Sequence, residues 1–152
     1  LPISATCFID GELTVRLSGS EIGLAAARAK MGGDVLTDDA AFWTDLREQK
    51  RSAFTGSSLW RLSIGSTTPP LQLPGKQVIE WNGALRWIAS DAPADMFFAA
   101  AKQAGGHATR FRGPPGQPLF ELDRIKLRMH QRLKAALDPN NIFGPHRLHP
   151  EF

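Results

Sequence analysis

Tyrosine is absent from this sequence of 152 residues, and cysteine occurs only once. Because Cys7 has no partner within the chain, an internal disulfide is excluded, and a reducing compartment, the cytoplasm, is predicted. No group of cysteine and histidine has the spacing of a zinc site, so no metal is expected. No stretch approaches the roughly 20 apolar residues that span a bilayer, so no transmembrane segment is expected either.

Neither positively nor negatively charged residues are in large excess. The chain has 18 Lys and Arg against 15 Asp and Glu, a net charge of +3. The basic residues are scattered, which does not indicate a partner made of nucleic acid. A chain of this length with 42% hydrophobic residues can bury one core, so a single domain over residues 1–152 is predicted. The sequence starts at Leu1 and not at methionine, and we expect it to be part of a larger polypeptide.

Apolar alternation and turn signals predict an antiparallel sheet. Asp10-Gly11 and Asn82-Gly83 are turn dipeptides that each join two alternating segments. In the second hairpin, Ile79 is predicted opposite Arg86 and Glu80 opposite Leu85. The predicted strands cover residues 3–9, 13–17, 59–64, 77–81, 84–89 and 107–112.

Apolar residues three and four positions apart predict four helices. The first is capped by Ser20 and is expected to pack through a stripe of Ile22, Ala25, Ala26 and Ala29. The predicted helices start after Ser20, at Asp38 or Asp39, at Pro93 with Asp91 as its cap, and at Pro118. The resulting fold class is α+β, an antiparallel sheet with helices mainly on one face, in a ferredoxin-like arrangement.

The hairpin at residues 77–89 is apolar on both sides. Val78 and Trp87 lie on one predicted face, and Ile79, Trp81 and Ile88 on the other. A sheet that is apolar on both faces needs cover on both. We expect the second face to await a domain outside this chain, with burial under the connection 65–75 as the alternative.

Familiar catalytic arrangements are missing from the sequence. There is no nucleophile with an adjacent base, no paired carboxylates and no metal-binding motif, so no catalytic residue is assigned. Residues 65–68, Gly-Ser-Thr-Thr, follow a strand but lack dinucleotide-binding spacing and are interpreted as a structural turn. The chain offers no cradle for a dinucleotide pyrophosphate.

Arg61 and Arg86 are the candidate binding residues. Each lies within a predicted strand beside tryptophan, and a guanidinium group suits a carboxylate held against a flat wall. The alternative is structural, with each arginine paired to an acid or stacked on Trp60 or Trp87.

The C-terminal segment closes the last helix with a specified turn. Pro139 disfavours helical backbone at Asp138, so the helix is expected to end near Leu137. Asn140 and Asn141 tolerate left-handed backbone, and the dipeptide at 144–145 stiffens the exit. The chain end is therefore expected to be held in place.

This tail resembles the closing segment of FAD-linked oxidases of the vanillyl-alcohol-oxidase type. Residues 59–69, 79–87 and 107–112 are similar, in that order, to the C-terminal half of the FAD-binding subunits of bacterial glycolate oxidases. The chain departs from the family at the turn, which usually ends Asn-Pro-Gly and here has Gly144-Pro145-His146. A side chain at His146 puts in doubt a close approach of that backbone to a flavin.

The resemblance implies the C-terminal cap, or substrate, domain of a flavoprotein whose N-terminal FAD-binding domain lies outside this chain. It implies oxidation of a small 2-hydroxy acid such as glycolate, with FAD as cofactor and a paralogous flavin subunit and an iron–sulfur subunit as partners. Arg61 and Arg86 would face the substrate carboxylate or the cofactor. Flavin-side contacts would come from Asn141, Gly144, Pro145 and Arg147. The isolated fragment is expected to be inactive.

Two further alternatives stay open at this stage. The chain is either part of that enzyme or a noncatalytic protein-interaction module with a ferredoxin-like fold. Its location is either the cytoplasm or, peripherally, the inner membrane. The basic run on the last helix indicates a solvated face, with docking of a companion subunit or anionic lipid as the other interpretation.

Overall fold

The computed structural model describes residues 1–114, 119–147 and 149–152. Six strands form one sheet in the order β2-β1-β4-β5-β3-β6, and all neighbouring strands are antiparallel. The strands are β1 (Ile3–Ile9), β2 (Glu12–Leu17), β3 (Leu59–Ser63), β4 (Lys76–Glu80), β5 (Leu85–Ala89) and β6 (His107–Arg112). The helices are α1 (Glu21–Met31), α2 (Asp39–Arg47), α3 (Ala94–Gln103) and α4 (Arg124–Leu137). The predicted α+β class with an antiparallel sheet is confirmed, and the architecture is consistent with a ferredoxin-like cap domain.

The hairpin of β4 and β5 has the register expected from its turn. Ile79 lies opposite Arg86, Glu80 opposite Leu85, and Val78 opposite Trp87. The turn needs a glycine at position 83, because a Cβ there would lie 2.4 Å from the backbone oxygen of Ser66 and the φ angle is +96°.

Each face of the sheet has its own core. On one face, Val78, Leu85 and Trp87 pack with Leu46 of α2 and with Phe54 of the short 3₁₀ turn Ser52–Phe54. On the other face, α3 packs on β3. The residues of this second cluster are Trp60, Leu62, Ile64, Ile88, Phe97, Phe98, Ala101 and Ala108.

The expectation of an uncovered second face was wrong. Ile88 is fully buried, because α3 covers it together with Leu71 and Leu73 of the connection between β3 and β4. The alternative prediction, burial of the second face under the connection between β3 and β4, is therefore correct for part of that face. Both sides of the hairpin are packed by the chain itself.

Helix α1 does not pack through its predicted stripe. Ile22 is 85% exposed, and only Ala27 of this helix is buried. The alanines at 25, 26 and 29 are exposed as well. Alanine fits either side of a helix, so its spacing did not identify the buried face. Ser20 does cap the helix, as its side chain accepts from the Gly23 amide.

Helix α3 begins at Ala94 without a side-chain cap. The predicted cap, Asp91, instead accepts a hydrogen bond from the Ser57 hydroxyl. The carboxylate therefore joins the loop before β3 to the end of β5.

The last helix is shorter than predicted. It begins at Arg124, where the Asp123 carboxylate caps the amides of Ile125 and Lys126, and the predicted start at Pro118 lies outside the described residues. Phe120 is not helical and forms an isolated bridge with Thr109 of β6. No side chain of α4 is buried.

Candidate functional site

Arg61 lies on the same face of the sheet as Trp87. The two residues are opposite each other on β3 and β5. The guanidinium carbon of Arg61 is 5.9 Å from the centre of the Trp87 ring and 5.6 Å from that of Trp81. Arg61 is therefore flanked by two indoles and held by cation–π attraction.

The prediction that Trp81 lies on the face of Ile79 and Ile88 was wrong, because an unusual backbone conformation at the turn brings its ring beside Arg61. The φ angle of Trp81 is +50°, in the left-handed region that costs a bulky residue about 1–2 kcal/mol. The side chain is 63% exposed, so its own burial does not compensate for that cost. Strain of this kind at an exposed aromatic residue is typical of binding sites.

Glu80 completes the group of side chains around Arg61. Its carboxylate accepts a hydrogen bond of 2.7 Å from the Trp87 indole N–H. Burial raises the pKa of the Glu80 carboxyl, and the Trp87 hydrogen bond and the charge of Arg61 oppose that rise. We call Arg61, Glu80, Trp81 and Trp87 the arginine–tryptophan cluster.

A cleft of about 540 Å³ adjoins this cluster and shares Glu80 and Trp81 with it. Its other wall includes Trp43, which the Arg16 guanidinium carbon approaches to 5.3 Å from the ring centre. The Arg16 Nε donates to the Ser4 hydroxyl over 3.1 Å. Arg16 and Trp43 thus line the same cleft as Glu80 and Trp81, and a guanidinium group held beside a flat ring suits a small anionic ligand.

Arg86 is not part of this cluster. It pairs with Leu62 of β3, one position from the pair of Arg61 with Trp87, and so lies on the opposite face of the sheet. Arg86 is 3% exposed, and it donates to the backbone oxygens of Gly83 over 3.0 Å and Thr68 over 2.9 Å. Burial lowers the pKa of its guanidinium. The two candidate arginines are therefore not brought together, and the contacts of Arg86 are those of a residue that ties the 65–68 turn to the hairpin.

The C-terminal turn is organised by a carboxylate that the sequence interpretation treated only as the residue before a proline. Asp138 is 7% exposed, and it accepts from the amides of Ile142 over 2.8 Å and Phe143 over 2.9 Å. The Lys134 ammonium donates to the same carboxylate over 2.5 Å and to the Phe143 carbonyl over 2.6 Å. The Lys134 hydrogen bond and the two backbone amides lower the pKa of Asp138. The ability of Asp to bond amides that follow it was the available signal.

The predicted flavin-side residues surround this turn, and all four are exposed. Asn141 has a φ angle of +51° and Gly144 one of +53°, and the Arg147 amide donates to the Gly144 carbonyl over 3.1 Å. Their placement relative to a flavin stays a prediction.

His146 occupies the glycine position of the family turn, with a φ angle of +60°. Its amide donates to the Phe152 carbonyl over 3.0 Å, and its Nδ1 lies 2.8 Å from the Pro150 carbonyl oxygen. The backbone therefore keeps a conformation that favours glycine although a side chain is present.

Aromatic stacking holds the chain end against α4. The Phe152 ring lies 5.5 Å from that of His130 and 5.2 Å from that of His149, nearly parallel to both. Phe120 contacts the same two histidines at 6.3 Å and 6.1 Å. This stack was not predicted, because its members are far apart in the sequence.

Among the described residues, no group of histidine, cysteine and acidic side chains is arranged to hold a metal ion. No helix in the described part of the chain has the length and apolarity that crossing a membrane requires.

Comparison with known proteins identifies one similar sequence. The chain is 42% identical to the glycolate oxidase subunit GlcE of Escherichia coli (strain K12), and the alignment covers 99% of this chain and 43% of that protein. The resemblance inferred from the sequence is confirmed. The chain spans less than half the length of the relative it matches. No family model matches, and no solved structure matches.

Two turns differ in how many of their polar groups are free to meet an FAD molecule. The 65–68 turn is occupied internally, since the Thr68 amide donates to the Gly65 carbonyl and the Thr68 carbonyl accepts from Arg86. The Thr68 amide and carbonyl are therefore already bonded within the chain. The C-terminal turn is exposed and ordered by Asp138, and it carries the Asn141 and Arg147 side chains, which can donate hydrogen bonds to a flavin.

Proposed function

We propose that this chain is part of an FAD-dependent oxidoreductase subunit that oxidises a 2-hydroxy acid, with glycolate converted to glyoxylate. The observation that carries the proposal is 42% identity to a glycolate oxidase subunit over 99% of the chain. FAD supplies the hydride acceptor in such enzymes, and the protein supplies binding, orientation and electrostatics. In this proposal an N-terminal domain outside this chain holds most of the FAD, because the sequence of this chain lacks the glycine spacing of a dinucleotide-binding motif.

Arg61 is proposed to bind the substrate carboxylate. It is half-buried between two indoles, which hold the guanidinium plane while its N–H groups remain able to donate to a carboxylate. Glu80 fixes the Trp87 wall through its hydrogen bond. Arg86 is proposed to act from the other face by holding the hairpin that carries Trp81, since it donates to Gly83 of that hairpin.

Asn141, Gly144, Pro145 and Arg147 are proposed as flavin-side contacts. Their turn is exposed, and Asp138 fixes it from the inside through two backbone amides. The proposed partners are a paralogous flavin subunit and an iron–sulfur subunit that accepts the electrons, in the cytoplasm. The resemblance supports these assignments.

A first experiment tests the cofactor and the reaction together. The complete subunit, purified with its companion subunits, is expected to show the visible absorbance bands of bound flavin, and anaerobic glycolate is expected to bleach them. A preparation without flavin bands would contradict the proposal. Bleaching by another 2-hydroxy acid in place of glycolate would keep the reaction class and change the substrate.

A second experiment tests Arg61. In the complete complex, Arg61→Gln is expected to raise KM for glycolate about 10- to 100-fold, the loss of one charge-assisted hydrogen bond. Glu48→Gln is a matched control, because Glu48 is an exposed charge paired with Arg47 over 2.9 Å. An unchanged KM in Arg61→Gln would leave Arg61 with a structural stacking role.

A noncatalytic assembly module is the second candidate function. It is favoured by the apolar outer face of α4, on which Leu137 is 73% exposed. A complex that binds flavin and oxidises glycolate unchanged after Arg61→Gln, but dissociates when that face is altered, would support this alternative.

A further inference from the structure

Helix α4 presents an apolar row that no other described residue covers. The exposed fractions are 66% for Ile125, 63% for Met129, 57% for Leu133 and 73% for Leu137. These residues are four positions apart and therefore form one row along the helix. Ile142 and Phe143, which follow in the C-terminal turn, are 68% and 75% exposed. We call these six residues the α4 apolar face.

Internal packing does not account for the stability of this helix. It has 14 residues and no buried side chain. Isolated helices shorter than about 12–15 residues are marginal in water, and most helices in proteins are stabilised by packing of an apolar face. The Asp123 cap and the contacts with the chain end stabilise the two ends and one side of α4. The exposed row is the part of the helix that is still without a packing surface.

We propose that the α4 apolar face docks on the part of the same subunit that lies outside this chain, against the surface that carries the flavin. This inference rests on the proposed function. The similar GlcE protein has more than half of its length outside the match, since the chain covers 43% of it. The remaining part of such a subunit is long enough to form a domain that could pack against α4.

Continuity with the C-terminal turn selects the flavin-bearing surface. Ile142 and Phe143 belong to the α4 apolar face and lie between Asn141 and Gly144, which are proposed to contact the flavin. If this turn contacts the flavin, Ile142 and Phe143 contact the domain that binds the flavin. The row from Ile125 to Leu137 leads into the turn, so α4 is expected to lie along that domain as well.

The charges around the face define the chemistry of its partner. Helix α4 has five basic residues and no acidic one. Lys126 and Lys134 are paired with Asp123 and Asp138, so the charge offered to a partner comes from three exposed arginines, Arg124, Arg128 and Arg132. A complementary surface is apolar in its centre and acidic at its border. A second copy of this chain fits poorly, because a two-fold contact between two α4 faces would set basic residues against basic residues.

Cysteine labelling in the complete subunit tests the docking. Met129→Cys and Leu133→Cys place a thiol in the row, and Ala135→Cys places one on an exposed position of the same helix away from the row. The native Cys7 gives little background, because it is fully buried and burial raises its pKa to about 11. We expect a maleimide to label the two row thiols at least tenfold more slowly than the Ala135→Cys thiol, and all three at similar rates in urea.

Three outcomes would overturn the docking proposal. The first is equal labelling of row and control thiols in the folded subunit. The second is protection that increases with protein concentration, which would indicate a second copy as the occupant. The third is protection seen only after vesicles of phosphatidylcholine and phosphatidylglycerol are added, which would indicate a membrane surface.

The flavin spectrum of the same samples separates this inference from the proposed function. Bound flavin with unprotected row thiols would remove the docking surface and leave the oxidoreductase proposal intact. Protected thiols without any bound flavin would remove the oxidoreductase proposal and the choice of a flavin-bearing surface.

Discussion

The sheet and the C-terminal segment are stabilised in different ways. The sheet buries an apolar cluster on each face, including Trp60 stacked on Phe97 with ring centres 4.5 Å apart. The segment from Arg124 to Phe152 buries no side chain of its helix, and it depends on the Asp138 carboxylate and on stacked rings. The central strands of the sheet are therefore packed on both faces by the chain itself, whereas the C-terminal segment is locally ordered and still exposes its apolar face.

The largest expected effect is in the core between β3 and α3. Phe97→Ala removes a fully buried ring and is expected to lower the free energy of unfolding by about 3–5 kcal/mol. Denaturant unfolding followed by tryptophan fluorescence measures this change, because Trp60 is the stacking partner. A loss below about 1 kcal/mol would mean that the second core is not packed as described.

Arg86 provides the second test. It lies on the opposite face of the sheet from Arg61, and its hydrogen bonds are to backbone carbonyls. Arg86→Ala leaves the carbonyl oxygens of Gly83 and Thr68 without their donor and is expected to cost about 1.5–3 kcal/mol of stability. Arg61→Ala is expected to cost less, about 1–2 kcal/mol, since it removes two cation–π contacts of about 0.5–1 kcal/mol each. Equal losses for the two variants in denaturant unfolding would contradict the division into a structural and a binding arginine.

Local patterns in the sequence predicted how the strands pair. They did not predict which side of each helix is buried or which distant residues come into contact. The turn dipeptide at 82–83 fixed the register of Glu80 with Leu85, since a hairpin has few ways to pair. Arg61 and Arg86 were assigned together because both neighbour tryptophan, but the alternation of side chains along paired strands puts them on opposite faces. The partner of Glu80 and the stack around Phe152 depend on contacts between distant segments, which no local pattern specifies.

Asp138 in the C-terminal segment and Glu80 in the sheet are expected to respond to pH in opposite ways. The folded-state pKa of Asp138 is lowered by Lys134 and two amides, so its contribution is present above the unfolded pKa and is lost as pH falls through the folded pKa. The folded-state pKa of Glu80 is raised by burial, so the stability it supports is present below the unfolded pKa and is lost as pH rises through the folded pKa. Acidification from neutral pH towards about 4 is therefore expected to favour the sheet around Glu80, and further acidification to release the C-terminal turn.

NMR spectra recorded across this pH range measure both responses. The amide signals of Ile142 and Phe143 are expected to move together at acidic pH in the native chain and to be displaced at every pH in Asp138→Asn. In Glu80→Gln, the Trp87 indole signal is expected to lose its pH dependence. A Trp87 indole signal that titrates unchanged in Glu80→Gln would contradict the hydrogen bond assigned to that pair.

The smallest expected effect is at the α4 apolar face. Leu133→Ala in the 152-residue chain is expected to change the free energy of unfolding by less than about 0.5 kcal/mol, as for other exposed positions. The same change in the complete subunit is expected to cost about 2–5 kcal/mol if docking buries the side chain. The difference between the two forms isolates the docking contribution, because the change in helix propensity is common to both.

Ala135→Ser is the control for the opposite side of the helix, and its effect is expected to be the same in both forms. A Leu133→Ala effect that is equally small in the complete subunit would mean that the C-terminal segment keeps its exposed face there, and that the contrast with the sheet persists in the assembled protein.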